Sequence, residues 1–250
     1  MPAKVLDYLV YSNHNAPYQF SDVVQGHKGV VCRIVEIIAA RADRVVHPHM
    51  EPIKRLKRSI ELNKYQNWIT YGMRGWESLP AWRDHHFSSV NIFQFSPMLV
   101  QLASDEAVMS TLADIGQRKV LIISGFDYGP VYDFIVNRGA VVESVDTQQK
   151  ALSMLRQGRA EVFLEDKYRV NYTLAKMNLA ADQFKMTSLA SAQPSQEAFG
   201  VALVMSKDMP EESVNTMNQV LREMQLSGQL EALVSRYREP FKLIESHEQN

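Results

Sequence analysis

The sequence predicts an α/β protein, because strand-like and helix-like segments alternate over most of its 250 residues. Leu6–Ser12 is strand-like, and the next apolar residues have the i, i+3, i+4, i+7 spacing of one helix face: Val31, Ile34, Val35 and Ile38. Val120–Ile123 is a continuous apolar run, typical of a parallel strand buried on both faces. The length accommodates one large domain or two lobes.

The composition is that of an ordinary folded domain. Apolar residues make up 46% and charged residues 22% of the chain, which argues against disorder. The 27 basic and 28 acidic residues nearly cancel, so charge gives no general reason to expect nucleic acid or an anionic membrane as a partner. Cys32 is the only cysteine, which excludes an intrachain disulfide and a cysteine-rich zinc site.

A first series of elements follows the opening strand and helix. Arg44–His49 is predicted as a short strand, and Glu51–Asn63 as a basic amphipathic helix with a proline in its first turn. Asn67–Tyr71 returns as a strand. From Gly72 to Ser89 the pattern dissolves into Gly, Pro, Trp and polar residues, which predicts a long irregular segment of the kind that often carries function.

A second series begins with the strand Val120–Ile123. Pro130 opens a helix that ends at Gly139, and Asp146 with Gln149 resembles a capping box for a helix that ends at Gly158. The remaining predictions are the strands Ala140–Glu143, Val162–Leu164 and Ala198–Met205, a helix from Asp166, and two closing helices separated by Gly228.

Four stretches, spread over nearly the whole chain, form a recognisable series: Ala16–Phe20 (APYQF), Leu155–Asp166 (LRQGRAEVFLED), Ala198–Leu203 (AFGVAL) and Met224–Tyr237, with its Gly228 turn. In this order they resemble the motifs of the family 3 solute-binding proteins. These are the receptors of bacterial ABC-type uptake systems for polar amino acids. Each motif alone is weak, but their shared order makes the resemblance fairly specific.

This resemblance implies a two-lobe fold of the periplasmic-binding-protein type II class. Lobe 1 would comprise residues 1–93 plus 200–250 and lobe 2 residues 94–199, with hinge strands crossing near 91–96 and 198–205. A small polar ligand, an amino acid or related organic acid, would bind in the cleft between the lobes. The resemblance further implies a periplasmic, monomeric mature form whose signal peptide is absent from this chain, a possible ABC-transporter permease as partner, and no cofactor.

Asp166 is the best-matched candidate ligand residue. It lies where a strand ends and a helix begins, the position at which open α/β sheets bind ligands. The resemblance implies that its carboxylate holds a ligand amino group, with Glu165 as the fallback. The alternative is a helix N-cap, a role that Asp commonly fills.

The turn Ser124–Pro130 is a second candidate. Gly125 permits close backbone approach, and free amides at the following helix start attract an anion. The amino-acid receptors usually have a threonine here that bonds the ligand carboxylate, whereas this sequence has Phe126. This difference weakens the case for recognition of a free α-amino acid. The alternative is an ordinary turn on which Tyr128 packs.

A third candidate is the family's arginine clamp for the ligand carboxylate, in a "T-P-E-R" element. The matching stretch is Ser78–Arg83, where strict spacing puts Trp82 at the arginine position. Arg83 comes one residue late, and Arg74 is an alternative. A loop arginine is otherwise a solvated surface charge.

Aromatic residues complete the candidate ligand-binding site. Tyr18, Phe20 and Trp76 are expected to form apolar walls, although such residues also serve as peripheral core. Asn13 and His14, just after the first strand, are weaker candidates.

Two histidine pairs are candidate metal ligands. His47 and His49 would point to one face of a strand, and His85 and His86 lie in the irregular segment. Since no third ligand lies nearby in sequence, we expect surface histidines and no metal site.

Two other function classes stay open. The first is an enzyme on the same fold, similar to the dehydratases of cyclohexadienyl acids, with a general acid in the cleft. The second is a sensor or partner-docking module that uses the basic face Lys54–Arg58. No nucleophile elbow, phosphate-binding glycine loop or zinc-protease helix is present, and the family resemblance favours a binding protein over an enzyme.

Overall fold

The computed structural model describes residues 4–12, 15–22, 26–107, 109, 111–189 and 199–242. The chain divides into two compact units. The first unit combines Met1–Gln94 with Glu197–Arg238, two segments that are far apart in sequence. The second unit contains Phe95–Gln196, together with residues after Arg238. In the described part of the chain, none of the helices combines the length and the apolar character that crossing a bilayer requires.

Strands and helices alternate through both units. The strands are β1 (Lys4–Tyr11), β2 (Phe20–Asp22), β3 (Gly26–Lys28), β4 (Arg44–Glu51), β5 (Trp68–Met73), β6 (His86–Gln94), β7 (Pro97–Leu102), β8 (Lys119–Ile123), β9 (Val141–Val145), β10 (Val162–Asp166), β11 (Phe184–Ser188) and β12 (Gly200–Met205). The helices are α1 (Val30–Arg41), α2 (Ile53–Glu61), α3 (Pro130–Asn137), α4 (Gln148–Arg156), α5 (Lys167–Met177), α6 (Glu211–Leu226) and α7 (Gln229–Lys242).

The first unit is built on a five-stranded sheet in the order β4-β1-β5-β12-β6. Strand β1 pairs in parallel with β4 and β5, whereas β12 runs antiparallel to β5 and β6. Helix α1 buries the predicted apolar face, which confirms that prediction. Buried Gln19 fastens the segment after β1 back onto that strand. Its side chain accepts a hydrogen bond from the Tyr11 amide at 2.8 Å and donates one to the Leu9 carbonyl at 3.1 Å.

The second unit is built on a five-stranded sheet in the order β11-β7-β10-β8-β9. Strands β8, β9 and β10 are parallel, and β7 runs antiparallel to β10 and β11. The continuous apolar run in β8 is therefore the buried parallel strand that the sequence predicts. Carboxyl ends of parallel strands share one edge of a sheet, so β8 and β10 present their following loops side by side.

Two local predictions were wrong. Thr147, not Asp146, caps α4: its side-chain oxygen accepts a hydrogen bond from the Lys150 amide at 3.0 Å. The helix begins one residue later than the proposed capping box requires, so Gln149 is not at the third helical position. The predicted irregular segment is also shorter, because β5 continues to Met73 and β6 begins at His86.

Gly29, at the N-cap of α1, provides a test of close packing in the first unit. Its φ of +118° is a conformation that essentially only glycine adopts, and a Cβ there would lie 2.2 Å from the Tyr18 carbonyl oxygen. We expect Gly29→Ala to lower the free energy of unfolding by about 3 kcal/mol or more. Gly158→Ala is the control, since Gly158 has φ +64° with open space around it, and should lose about 1 kcal/mol. Equal losses in urea unfolding would contradict this account.

His85 provides a pH test in the same unit. Its ring lies against Trp68 with 4.8 Å between centroids, and its Nδ1 accepts a hydrogen bond from the Lys207 amide at 3.1 Å. Burial, with a contribution from the Lys207 charge, lowers the pKa of His85 to about 4. Between its ordinary pKa of about 6.5 and about 4, the unfolded chain binds a proton that the folded chain does not bind. The stability that the neutral His85 ring contributes to the folded state is therefore lost as the pH falls through that window.

We expect His85→Asn, which keeps a hydrogen-bond acceptor but does not titrate, to flatten the stability profile between pH 7 and pH 4. After allowance for solvent screening, the free energy of unfolding should fall by about 1–2 kcal/mol less in the variant than in the wild type over this window. Urea unfolding at several pH values measures it, and His86→Asn is the neighbouring control. A profile of His85→Asn that runs parallel to the wild-type profile would refute the assignment.

Candidate functional site

Asp166 lies at the carboxyl end of β10 and is fully buried. One carboxylate oxygen accepts hydrogen bonds from the amides of Tyr168 at 3.0 Å and Arg169 at 3.1 Å, which caps α5. The other oxygen accepts from the Ser96 amide at 2.8 Å, just before β7. The helix-cap interpretation is therefore realised, and the same side chain fastens the start of β7 to the end of β10.

Glu165 and Arg169 form a buried ion pair beside this cap. The Glu165 carboxylate accepts from Arg169 Nη1 at 3.4 Å, from the Asp166 amide at 2.7 Å and from Gln148 Nε2 at 2.9 Å. Burial raises the pKa of Glu165, while the Arg169 charge opposes that shift. A charge removed from water needs such partners, so the residues of this cluster hold one another in place.

Aromatic rings enclose the Arg169 guanidinium. Its central carbon lies 5.4 Å from the Phe95 ring centroid and 5.1 Å from the Phe126 centroid, distances typical of cation–π contacts. The two rings stack at 5.7 Å, and Tyr128 packs edge-on against Phe126 at 4.9 Å. This arrangement gives the edge of the sheet an apolar surface over a buried charge.

The turn after β8 is held by Tyr128. The Tyr128 hydroxyl accepts a hydrogen bond from the Ile123 amide at 2.8 Å and donates to the Leu164 carbonyl at 3.4 Å, so it links β8 to β10. Burial raises the pKa of Tyr128 well above its ordinary value. Gly125 has φ +84°, a conformation that favours glycine. The turn residues Ser124–Gly129 are half-buried, whereas Asp166 is fully enclosed.

The aromatic candidates of the first unit have separate surroundings. Tyr18 is buried and stacks on Phe93 at 4.4 Å, and the Arg238 guanidinium lies 5.4 Å from the Phe93 ring. Phe20 is half-buried at the start of β2. Trp76 is buried and stacks on Trp82 at 5.3 Å between centroids. Asn13 and His14 lie outside the described residues.

The two candidate arginine clamps differ in their contacts. The Arg83 side chain is 64% exposed and lies 3.9 Å from the Asp84 carboxylate, as a solvated surface charge does. Arg74 donates from Nε to Asn91 Oδ1 at 2.8 Å, from Nη1 to Glu77 Oε1 at 2.6 Å, and from Nη2 to the Ser88 carbonyl. Arg74 therefore helps to hold the irregular segment onto β6, and a ligand role for Arg83 stays a prediction.

In the second unit, the structure brings the predicted residues Gly125, Phe126, Tyr128 and Asp166 to one edge of the sheet. Sequence reasoning missed Arg169, although its position four residues after Glu165 is the helical spacing of an ion pair. It also missed Arg238, which donates to the Gln94 carbonyl at 2.7 Å. A contact between residues so distant in sequence left no local signal.

No protein-family model and no curated protein matches the chain, but many solved structures do. A structure concerning glutathione import via GshT and the cystine ABC importer TcyBC of Streptococcus mutans has a TM-score of 0.76 at 14% identity, covering 94% of this chain and 95% of that one. The amino-acid ABC transporter substrate-binding protein AbpA of Streptococcus pneumoniae, bound to L-arginine, has a TM-score of 0.71 at 14% identity, covering 96% of each chain.

The L-cystine solute receptor of Neisseria gonorrhoeae, in its unliganded open conformation, gives a TM-score of 0.63 at 18% identity. It covers 94% of this chain and 93% of that one. At such identities the likeness establishes the fold: the chain has the two-lobe α/β fold of the ABC-importer solute-binding proteins. The predicted fold class is confirmed.

The cap at Asp166 yields a stability prediction. In Asp166→Asn an NH₂ group, which cannot accept a hydrogen bond, replaces one carboxylate oxygen. If the NH₂ group faces Ser96, the bond from the Ser96 amide is lost; if it faces α5, the bonds from the two α5 amides are lost. We expect a loss of about 1–3 kcal/mol in the free energy of unfolding, the cost of leaving a buried donor unsatisfied. Asp182→Asn, at an exposed residue of the same unit, should lose less than about 0.5 kcal/mol. Indistinguishable variants in urea unfolding would contradict the cap.

Proposed function

We propose that the protein is a solute-binding protein that captures a small polar ligand, an amino acid or a related organic acid, for ABC-type transport or sensing. The observation that carries the proposal is the match of the fold over some 94% of the chain to structures that include receptors for arginine and L-cystine. Fold alone does not fix function, so the candidate site must supply the chemistry.

The proposed ligand-contacting surface lies at the carboxyl edge of the second unit's sheet. The half-buried turn with Gly125 and Phe126 offers an aromatic ring, and small-molecule sites are lined mainly by apolar and aromatic side chains. Tyr128 and Asp166 hold this turn and the start of α5 in place. The resemblance adds four proposed contacts from the first unit: Tyr18, Phe20, Trp76 and Arg83.

The setting of the protein is part of the same proposal. Delivery of a captured solute to an importer takes place outside the cytoplasmic membrane, so we propose an extracytoplasmic, periplasmic location and an ABC-transporter permease as the partner. We further propose a monomer whose lobes comprise residues 1–93 plus 200–250 and residues 94–199. Size-exclusion chromatography with light scattering tests the monomer directly.

Ligand capture is tested with a panel that contains L-arginine, L-cystine, L-glutamine, short peptides and organic acids. A ligand present at a hundred times its dissociation constant should stabilise the protein by about 2.7 kcal/mol, visible as a raised melting temperature. Mass analysis of the mixture should return the ligand unchanged, whereas conversion would favour the dehydratase-like alternative. A panel in which no compound stabilises the protein would contradict the proposal.

The ligand-contacting surface is tested by substitution of the turn. Phe126→Ala should weaken binding of the ligand so identified at least tenfold in isothermal titration calorimetry, because it removes the proposed apolar contact. Phe134→Ala is the control, since Phe134 lies on α3 and contacts Arg138 instead. Circular dichroism confirms that both variants fold. Equal affinities in the two variants would place the ligand elsewhere.

A further inference from the structure

Two neighbouring strands of the first unit bring together three side chains that the proposed function does not use. His47 and His49 are two residues apart on β4, so their rings lie on one face of the strand. Strand β4 is at the edge of the sheet and pairs in parallel with β1, where Asp7 is the register partner of His47. The third group that the local sequence lacks is thus supplied by the adjacent strand.

The donor atoms of these side chains converge. Asp7 Oδ1 lies 2.8 Å from His49 Nε2 and 3.4 Å from His47 Nδ1, and one ligand atom from each of the three residues lies within 4.8 Å of the others. Metal–ligand bonds of about 2.0–2.1 Å in a tetrahedral zinc site place the ligand atoms about 3.3 Å apart. Shifts of an ångström or so would therefore produce that geometry.

The surroundings suit a bound cation. The His49 ring is supported by Tyr65, with 4.2 Å between ring centroids, and the Tyr65 hydroxyl donates to the Glu51 carboxylate at 2.9 Å. Asp7 and His49 are about one-fifth exposed, whereas His47 is 63% exposed and leaves an approach from solvent. Packing around a ligand that fixes its ring orientation is what strengthens metal sites in proteins.

We propose that Asp7, His47 and His49 bind one divalent transition-metal ion of the zinc type, with water in the remaining position. Two imidazoles and one carboxylate form a ligand set suited to zinc, whereas magnesium and calcium require oxygen donors. The ion would fasten the edge strand β4 to β1, in place of the direct contact between His49 and Asp7. The inference is independent of the proposed solute-binding function.

The proposal is tested with the full chain, free of any histidine tag and stripped of metal by chelation and dialysis. Titration with Zn²⁺ should give one equivalent of bound metal per chain by calorimetry, and Co²⁺ should give the intense visible absorption of a tetrahedral site. His47→Ala should weaken Zn²⁺ binding at least tenfold. Since this side chain is mostly exposed, the variant is expected to fold. His86→Ala, at a histidine outside the cluster, is the matched control.

A second readout follows the melting temperature. Saturating Zn²⁺ should raise it in the wild type and in His86→Ala, and raise it less or not at all in His47→Ala, His49→Gln and Asp7→Asn, because a ligand of the folded state stabilises it. Ca²⁺ should have no comparable effect. Affinity for Zn²⁺ that is unchanged in His47→Ala, or an absence of saturable binding in the wild type, would overturn the proposal and leave a hydrogen-bonded histidine–aspartate pair.

Discussion

The second unit depends on one constraint, namely that a carboxylate removed from water must be surrounded by donors. Asp166, at the end of β10, meets it with three amides from two other segments, the residue before β7 and the first turn of α5. Once that cap is in place, adjacent Glu165 is buried as well, and its charge requires Arg169. The guanidinium in turn orders Phe95 and Phe126 around itself. The hydrogen-bonding needs of two carboxylates thus shape the whole edge.

This arrangement constrains the residues that build the edge. The buried polar groups are mutually dependent, so changing one of them disturbs the others and the fold. The half-buried turn Ser124–Gly129 is more accessible, but two of its side chains belong to the edge as well: Phe126 packs over the Arg169 guanidinium, and the Tyr128 hydroxyl joins β8 to β10. The departure at Phe126 from the pattern of the amino-acid receptors is compatible with the common fold, because its ring covers Arg169 in this chain.

Local patterns predicted much of the fold. Apolar periodicity identified α1, the continuous run identified β8, and Gly228 separated the last two helices, because backbone and burial preferences act over a few residues. Partnerships between distant segments were less accessible. The sequence does not reveal that Ser96 donates to Asp166, or that Asp7 faces His47, since register between strands decides both contacts. Asp166 itself was found, but its cap on α5 and its bond to Ser96 required the geometry, and its contact with a ligand stays a prediction.

The position of β12 has a consequence for synthesis of the chain. In its sheet β6 pairs with β12, yet Phe95–Gln196 of the second unit is translated between these two strands. While the ribosome makes that unit, β6 emerges without its partner, and the first unit cannot complete its sheet until β12 follows. The segment Phe95–Gln196 is continuous in sequence and contains all five strands of the second sheet, so these strands are available earlier. This inserted segment can thus form its sheet before the first unit completes its own.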